Sequence, residues 1–550
     1  MNKHYVIVGG VAAGATAAAR LRRQDEDAEI TILEKGPYVS FANCGLPYFI
    51  SGDIKRRSKL ILQTPEGFWS RYRVNVRLNT EAVEIDRTNK RVLVRSPEGE
   101  EWFHYDKLLL GQGGRPIIPN IQGLEREGVF TLWTIPDMDK IDQFIKQSAP
   151  KTAVVVGGGF IGLEMVEALH ARGIEVSLVE LAPKPLITMD EEFGAYVVQV
   201  LRDHGVTVYL ERSVQALQPG FAVLSDGETI PAELVVLSIG VQPNLDLARI
   251  SGLALGERGG LAVDVHLRTS DPDIFAAGDM VEIVHRVNGM KTRIPLAGPA
   301  NRQGRIAAMN MAGGKVVYKG GLGTSVVKIF ETTAASTGLN EKTATNLGMD
   351  VGVSLVVRDH HVSYYPGNEP LMLKLVYDRS TRRLLGAQAM GKAGVEKRID
   401  AVSVALVGGM TVDDLATVDF AYAPPYGSGN DPLNMAAYAA LNHLNGYSSL
   451  VTARQAVELK KHGAVVVDLR TLLETSEGHW KGSLRIPADE IRDRLEELPQ
   501  DKTLVLVSKD GYLGHVVTRQ LKQKGYNQVS YVAGGWSVLR LILMDEEIAT

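Results

Sequence analysis

The sequence predicts an α/β protein: two nested dinucleotide-binding units, an α+β domain and a small C-terminal α/β module. Three observations predict it. Two segments about 150 residues apart each read as a buried strand, a glycine turn, a helix and a second strand ending in an acid. A β-rich stretch follows from about Gly320, with strands expected at Ser325–Phe330, Leu371–Tyr377 and Leu384–Met390. The last hundred residues alternate strand and helix again, with strands expected at Ala464–Asp468, Leu504–Ser508 and Gln528–Tyr531. At 550 residues the chain is too long for one core and suggests three or four domains.

Composition excludes several classes. Hydrophobic content of 45% with 23% charged residues is that of a soluble globular protein. A net charge of −4 gives no reason to expect nucleic acid or a membrane surface as partner. Met1–His4 leads directly into the apolar strand Tyr5–Val8, so no signal peptide is expected, and no apolar run reaches transmembrane length. No metal site is called for. One cysteine, Cys44, rules out a disulfide framework and fits a reducing compartment, so a cytoplasmic location is expected.

The first glycine turn follows the strand Val6-Ile7-Val8 and reads Gly9-Gly10-Val11-Ala12-Ala13-Gly14, before a helix expected at Ala15–Arg23. The next strand, Ile30–Leu33, ends at Glu34, twenty residues after Gly14. Glycines let the backbone approach a pyrophosphate, the helix start offers N–H donors, and the acid accepts ribose hydroxyls. Val11 replaces the usual second glycine. The late segment Thr269-Ser270-Asp271-Pro272…Ala277-Gly278-Asp279 places Asp279 at a sheet mouth, where it suits the ribityl chain of FAD. The second turn, Gly157-Gly158-Gly159-Phe160-Ile161-Gly162, has all three fingerprint glycines and is followed by Val176–Val179 ending at Glu180. A carboxylate there favours NADH over NADPH, while the nearby Lys184 leaves NADPH open. Glu164, inside the helix, reads either as a nicotinamide-site residue or as a helix former.

Cys44 sits in Ser40-Phe41-Ala42-Asn43-Cys44-Gly45-Leu46-Pro47-Tyr48, a turn entering a helix, where N–H donors are expected to stabilise a thiolate. No second cysteine exists to close a redox disulfide, so any disulfide within the reaction must be made with a substrate. Arg20 and Arg23 share a helix face, and Lys55-Arg56-Arg57 with Lys59 forms a second basic cluster that reads either as a phosphate site or as a solvated face.

These motifs, with Ser363-Tyr364-Tyr365-Pro366-Gly367, Gly391-Lys392…Lys397-Arg398-Ile399-Asp400 and Tyr422-Ala423-Pro424-Pro425-Tyr426, resemble the coenzyme A-disulfide reductase family of pyridine nucleotide-disulfide oxidoreductases over residues 1 to about 445. The resemblance implies a homodimer in which Cys44 is the redox nucleophile beside FAD, with Tyr364 and Tyr422 arriving from the other subunit. FAD contacts fall on Gly9, Val11, Ala12, Gly14, Glu34, Asp279, Leu296 and Ala297, and NAD contacts on Gly157, Gly159, Gly162 and Glu180. Coenzyme A contacts fall on Thr16, Arg20, Arg23, Ser40, Asn43, Asn301 and Asn430. The chain departs from the pattern at Tyr72, where the family has a lysine, with Arg71 and Arg73 on either side.

Residues 451–550 resemble a rhodanese homology domain, through Val465–Arg470, Gly478-His479-Trp480-Lys481-Gly482 and Tyr531-Val532-Ala533-Gly534-Gly535-Trp536. The place of that domain's nucleophilic cysteine holds Ser508, and its usual loop arginine is Leu513. A hydroxyl cannot carry sulfane sulfur, so the module reads as a pseudo-rhodanese. The expected layout is an FAD domain at 1–112 and 246–322, an NAD(P)H domain at 113–245, a dimerisation domain at 323–445, a linker at 446–454 and the pseudo-rhodanese at 455–550. The implied activity is NAD(P)H-dependent reduction of coenzyme A persulfide or disulfide through a Cys44–coenzyme A mixed disulfide. The alternatives are an NADH peroxidase or oxidase using Cys44 sulfenic acid, and a redox sensor that binds coenzyme A persulfide. The peroxidase places a histidine in the first glycine turn, where this chain has Ala12.

Overall fold

The computed structural model describes residues 2–476 and 478–549. The chain forms two compact units, Met1–Pro183 with Val206–Gly323, and Lys184–Gly205 with Thr324–Thr550.

The first unit holds two five-stranded parallel sheets. One runs Ile274–Ala276, Lys107–Leu110, His4–Val8, Glu29–Leu33, Val74–Arg77. The other runs Thr207–Leu210, Glu175–Glu180, Thr152–Val156, Leu234–Leu237, Val129–Thr131. In both, the strand feeding a glycine turn is central and Val/Ile/Leu-rich, as a sheet covered on both faces requires. Both also carry a three-stranded antiparallel meander, Glu81–His104 in one and Val214–Pro231 in the other. The edge strand Ile274–Ala276 comes from beyond the whole second sheet, so the units are nested, as the late Ala-Gly-Asp segment implied. Among the described residues, no helix is long and apolar enough to cross a membrane.

The helix expected at Ala15–Arg23 spans Ala12–Arg22. The last residues of the glycine turn are its first turn, which puts the helix N-terminus inside the motif. Buried Arg22 then ties the other end down, donating to the carbonyls of Tyr72, Ala28 and Arg73.

In the second unit, an antiparallel sheet is ordered Ser325–Ile329, Thr332–Gly338, Leu384–Gly391, Pro370–Asp378, Val351–Asp359. Helices Val395–Gly408 and Pro432–Leu444 cover it. Fully buried Lys374 on this sheet meets Asp190, Glu192 and Glu341 at 3.0, 2.6 and 2.7 Å. That cluster fastens the segment Lys184–Gly205 to the antiparallel domain. The C-terminal parallel sheet is ordered Leu450–Val451, Val529–Val532, Leu504–Val507, Val465–Asp468, Leu484–Arg485. The turn-rich stretch before it is held in place: buried Ser448 bonds His515 Nδ1 at 2.7 Å, and Lys522 reaches Ser449 Oγ at 3.1 Å.

Candidate active site

The two glycine turns share one geometry. Gly9 and Gly157 have φ of +96° and +104°, a region that favours glycine. A Cβ at Gly14 or Gly162 would run into the carbonyl oxygen of Gly9 or Gly157. Gly10 N–H donates to Glu34 at 2.7 Å, and Gly158 N–H donates to Glu180 at 2.5 Å. The second oxygen of each acid accepts from Gly36 and Ala182 N–H at 2.8 and 2.7 Å. Burial pushes Glu34 above the usual carboxylate range against the pull of the Gly36 and Gly10 amides. At Gly159 a Cβ would meet nothing within 4 Å, so no protein neighbour requires that glycine and the space before it is open to a ligand.

The helices that start at Ala12 and Ala297 have no side-chain cap at Val11 or Leu296, so their first N–H groups are free to meet an anion. Asp279 lies half-buried past the strand Ile274–Ala276, its carboxyl raised to about 6 by burial. These uncapped helix starts, the glycine turn and Glu34 fit the pyrophosphate and ribose of a dinucleotide. Lys184, the residue that left NADPH open, spends its ammonium on the carbonyls of Leu186 and Met189.

Cys44 lies in the short 3₁₀ turn Asn43–Gly45, which runs into the helix Leu46–Ser51. Its side chain is exposed, yet protein crowds the sulfur, and burial leads the causes that push the thiol up, followed by the carboxylates of Glu164 and Asp279. The expected thiolate stabilisation by N–H donors is therefore outweighed. The thiol's hydrogen-bond partner is Asn43 Oδ1 at 3.8 Å, an acceptor. Tyr48 donates to Glu164 at 3.1 Å, and burial raises the Glu164 carboxyl to about 7. Tyr48 was visible in the cysteine motif, but only the fold pairs it with Glu164.

The coenzyme A candidates divide between the two units. Thr16 donates to Asn301 at 2.6 Å, where the helices Ala12–Arg22 and Ala297–Met311 touch backbone to backbone at Ala13 and Gly304. Arg20 lies one helical turn beyond Thr16, its guanidinium pKa lowered by burial, Arg305 and Arg23. Ser40 holds a left-handed φ of +45° just before the cysteine turn. Of the basic cluster, Arg57 is committed elsewhere, with both carboxylate oxygens of Asp139 at 2.7 and 2.6 Å. In the second unit, Tyr364 and Tyr422 are exposed and share a hydrogen bond of 3.2 Å, which holds the Tyr364 phenol above its usual range. Asn430, also exposed, follows Tyr422 by eight residues.

Ser508 ends the strand Leu504–Val507 and is buried. Its Oγ accepts from Gly511 and Gly514 N–H, both at 3.1 Å, and Tyr512 N–H is taken by Asp510 at 2.9 Å. Asp510 is paired with Arg358 at 2.9 Å, and the same guanidinium lies 4.7 Å over the Tyr512 ring. Asp510 carried no signal in the sequence, because its partner is 152 residues away.

Comparison with known proteins agrees with this architecture. The model described as pyridine nucleotide-disulphide oxidoreductase matches residues 3–304, that family's dimerisation-domain model matches 324–430, and the rhodanese-like domain model matches 452–540. A Staphylococcus haemolyticus protein named coenzyme A disulfide reductase is 35% identical over 80% of this chain and 99% of its own length. The structure of reduced Bacillus anthracis CoADR-RHD is 42% identical, covers 100% of both chains and superposes with a TM-score of 0.97. A structure described as an NAD-dependent persulfide reductase from A. fulgidus is 37% identical over 97% of this chain and 99% of its own, with a TM-score of 0.92. Sequence match, nested sheets and repeated glycine turns together establish that this chain is an oxidoreductase of the pyridine nucleotide-disulphide oxidoreductase family, fused to a rhodanese-like domain.

Proposed function

We propose that the chain is an FAD-dependent, NADH-preferring reductase of coenzyme A persulfide and disulfide. The reading is carried by Cys44, the chain's single cysteine, an exposed residue within the nucleotide-binding unit. The names of the relatives support the substrate class. FAD, when bound, supplies the two-electron relay between the reduced nicotinamide and sulfur.

The remaining chemistry falls to the protein. Gly9, Val11, Ala12, Gly14, Glu34, Asp279, Leu296 and Ala297 hold FAD, and Gly157, Gly159, Gly162 and Glu180 hold the nicotinamide nucleotide. Thr16, Arg20, Arg23, Ser40, Asn43, Asn301 and Asn430 hold coenzyme A. The Cys44 thiolate attacks the coenzyme A-side sulfur of the substrate, forming a Cys44–S–S–coenzyme A bond and breaking the outer S–S bond. The leaving group is hydrosulfide from a persulfide, or a coenzyme A thiolate from a disulfide. Two electrons then cleave the mixed disulfide, restoring Cys44 and releasing coenzyme A. Overall, persulfide, NADH and a proton yield coenzyme A, hydrogen sulfide and NAD⁺. The Tyr364–Tyr422 pair, supplied by a second copy of the chain in a homodimer, donates a proton to the departing sulfur.

The test is sulfide release from coenzyme A persulfide under NADH, run beside turnover of coenzyme A disulfide and of hydrogen peroxide. Faster NADH oxidation with peroxide than with either coenzyme A substrate would overturn the reading.

A further inference from the structure

The helix Ala297–Met311 carries Arg302 and Arg305 three residues apart, on one face. Opposite them, backbone pairing between His285 and Gly321 brings Arg286 and Lys319 to one mouth. These four cations ring an open cleft of about 320 Å³ with Ile306 and Tyr318 on its walls. Arg305 continues the positive field to Arg20 and Arg23 on the neighbouring helix, where it helps to lower the Arg20 guanidinium pKa. Among the described residues, no salt bridge or side-chain hydrogen bond satisfies any of these six side chains, and Arg20 Nε is buried without a partner. By contrast, the half-buried Arg57 and Arg212 of the same unit are paired with Asp139 and Glu228. Six uncompensated cations repel one another, and a convergent concave arrangement of them is relieved by an anion. Guanidinium forks match phosphate oxygens two at a time.

We propose that the cleft lined by Arg286, Arg302, Arg305 and Lys319 is a phosphate-binding site. None of the four is among the expected coenzyme A contacts. The phosphate has two sources: the phosphorylated nucleotide end of a coenzyme A substrate bound along Thr16 and Arg20, or a free phosphate compound. The first source rests on the function proposed above; the second does not.

Two measurements on the full-length holoenzyme separate them. Wild-type protein and the double variant Arg302→Ala/Arg305→Ala, both at exposed positions, are titrated with inorganic pyrophosphate, following thermal stabilisation and calorimetric heat. The same proteins are then assayed with coenzyme A disulfide and with its 3′-dephospho analogue. Pyrophosphate binding should weaken about tenfold or more in the variant. If the KM for coenzyme A disulfide also rises about tenfold at unchanged kcat, while the dephospho substrate is unaffected, the source is the coenzyme. If pyrophosphate binding weakens and KM holds, the source is a free phosphate compound. Absence of coenzyme A turnover in both proteins, with pyrophosphate binding intact in wild type alone, would remove the proposed function and leave the site standing. Equal pyrophosphate affinity and equal KM in both proteins would overturn the site.

Discussion

The Tyr48 phenol donates to Glu164 Oε1 at 3.1 Å, joining the helix after Cys44 to the helix of the second glycine turn. Burial raises Glu164 to about 7, Glu167 adds to the rise, and the Tyr48 bond opposes both. A carboxyl titrating near neutrality, electrostatically coupled to the one thiol of the chain, ties proton balance to that sulfur.

The first prediction concerns pH. Below pH 4 Glu164 is protonated in folded and unfolded chains alike. Between the unfolded value of about 4.3 and about 7, the folded chain keeps a proton that the unfolded chain releases, so this group's contribution to stability falls as pH rises. Glu164→Gln should therefore be more stable than wild type at pH 8, by up to about 3 kcal/mol, with the gain fading towards pH 4. Urea unfolding across that range measures it. The same variant should lower the Cys44 thiol pKa, seen as faster iodoacetamide alkylation at pH 8.

Cys44→Ser should still accept reducing equivalents from NADH, monitored by bleaching of flavin absorbance. Its turnover of coenzyme A persulfide and disulfide should drop at least about a thousandfold. Retention of full turnover would exclude the mixed-disulfide route.

The proposed NADH preference rests on Glu180. A carboxylate fixed by Gly158 and Ala182 amides faces a 2′-hydroxyl favourably and a 2′-phosphate badly. NADH should have at least about a tenfold higher kcat/KM than NADPH. Glu180→Ala should narrow the ratio, chiefly by lowering KM for NADPH.

In the C-terminal domain, Ser508→Cys alone should leave thiosulfate sulfurtransferase activity near background. The Tyr512 amide is taken by Asp510, and the Asp510 carboxylate opposes an anionic donor. Adding Asp510→Ala to that variant should raise activity about tenfold above the single change, by removing a like charge from the loop. Equal activity of the two variants would show that Asp510 has no such effect.

Lys374→Met should be strongly destabilising, because it leaves buried Asp190 and half-buried Glu192 without their shared counter-charge. Losing one side of such a cluster costs about 3–5 kcal/mol, readable as a shift in the urea midpoint.

Glycine turns were legible because backbone sterics dictate their residues: Gly9 and Gly14 announce a left-handed turn and a close approach whatever surrounds them. Buried valine and leucine runs likewise revealed the parallel strands. The strand Thr332–Gly338 was missed because Thr-Thr-Ala-Ala-Ser-Thr-Gly has no apolar alternation and is held by neighbours on both sides. The cysteine motif singled out Cys44 but misjudged its environment, because burial crowds the sulfur and Glu164 and Asp279 reach it from 120 and 235 residues away. Arg302 and Arg305 drew no notice as two arginines in a polar helix; Arg286 and Lys319 make them a cluster only once the loops are folded.

The solitary cysteine also determines how oxidants damage this protein. A thiol with a neighbour can escape overoxidation by condensing into an internal bridge, and this chain has no second sulfhydryl to supply one. Once Cys44 passes from sulfenic to sulfinic acid, nothing in the polypeptide reverses the step. A single tryptic peptide spanning Cys44 should therefore carry the thiol-oxidation history of the whole chain, and its mass spectrum would report the fraction of molecules whose thiol is intact.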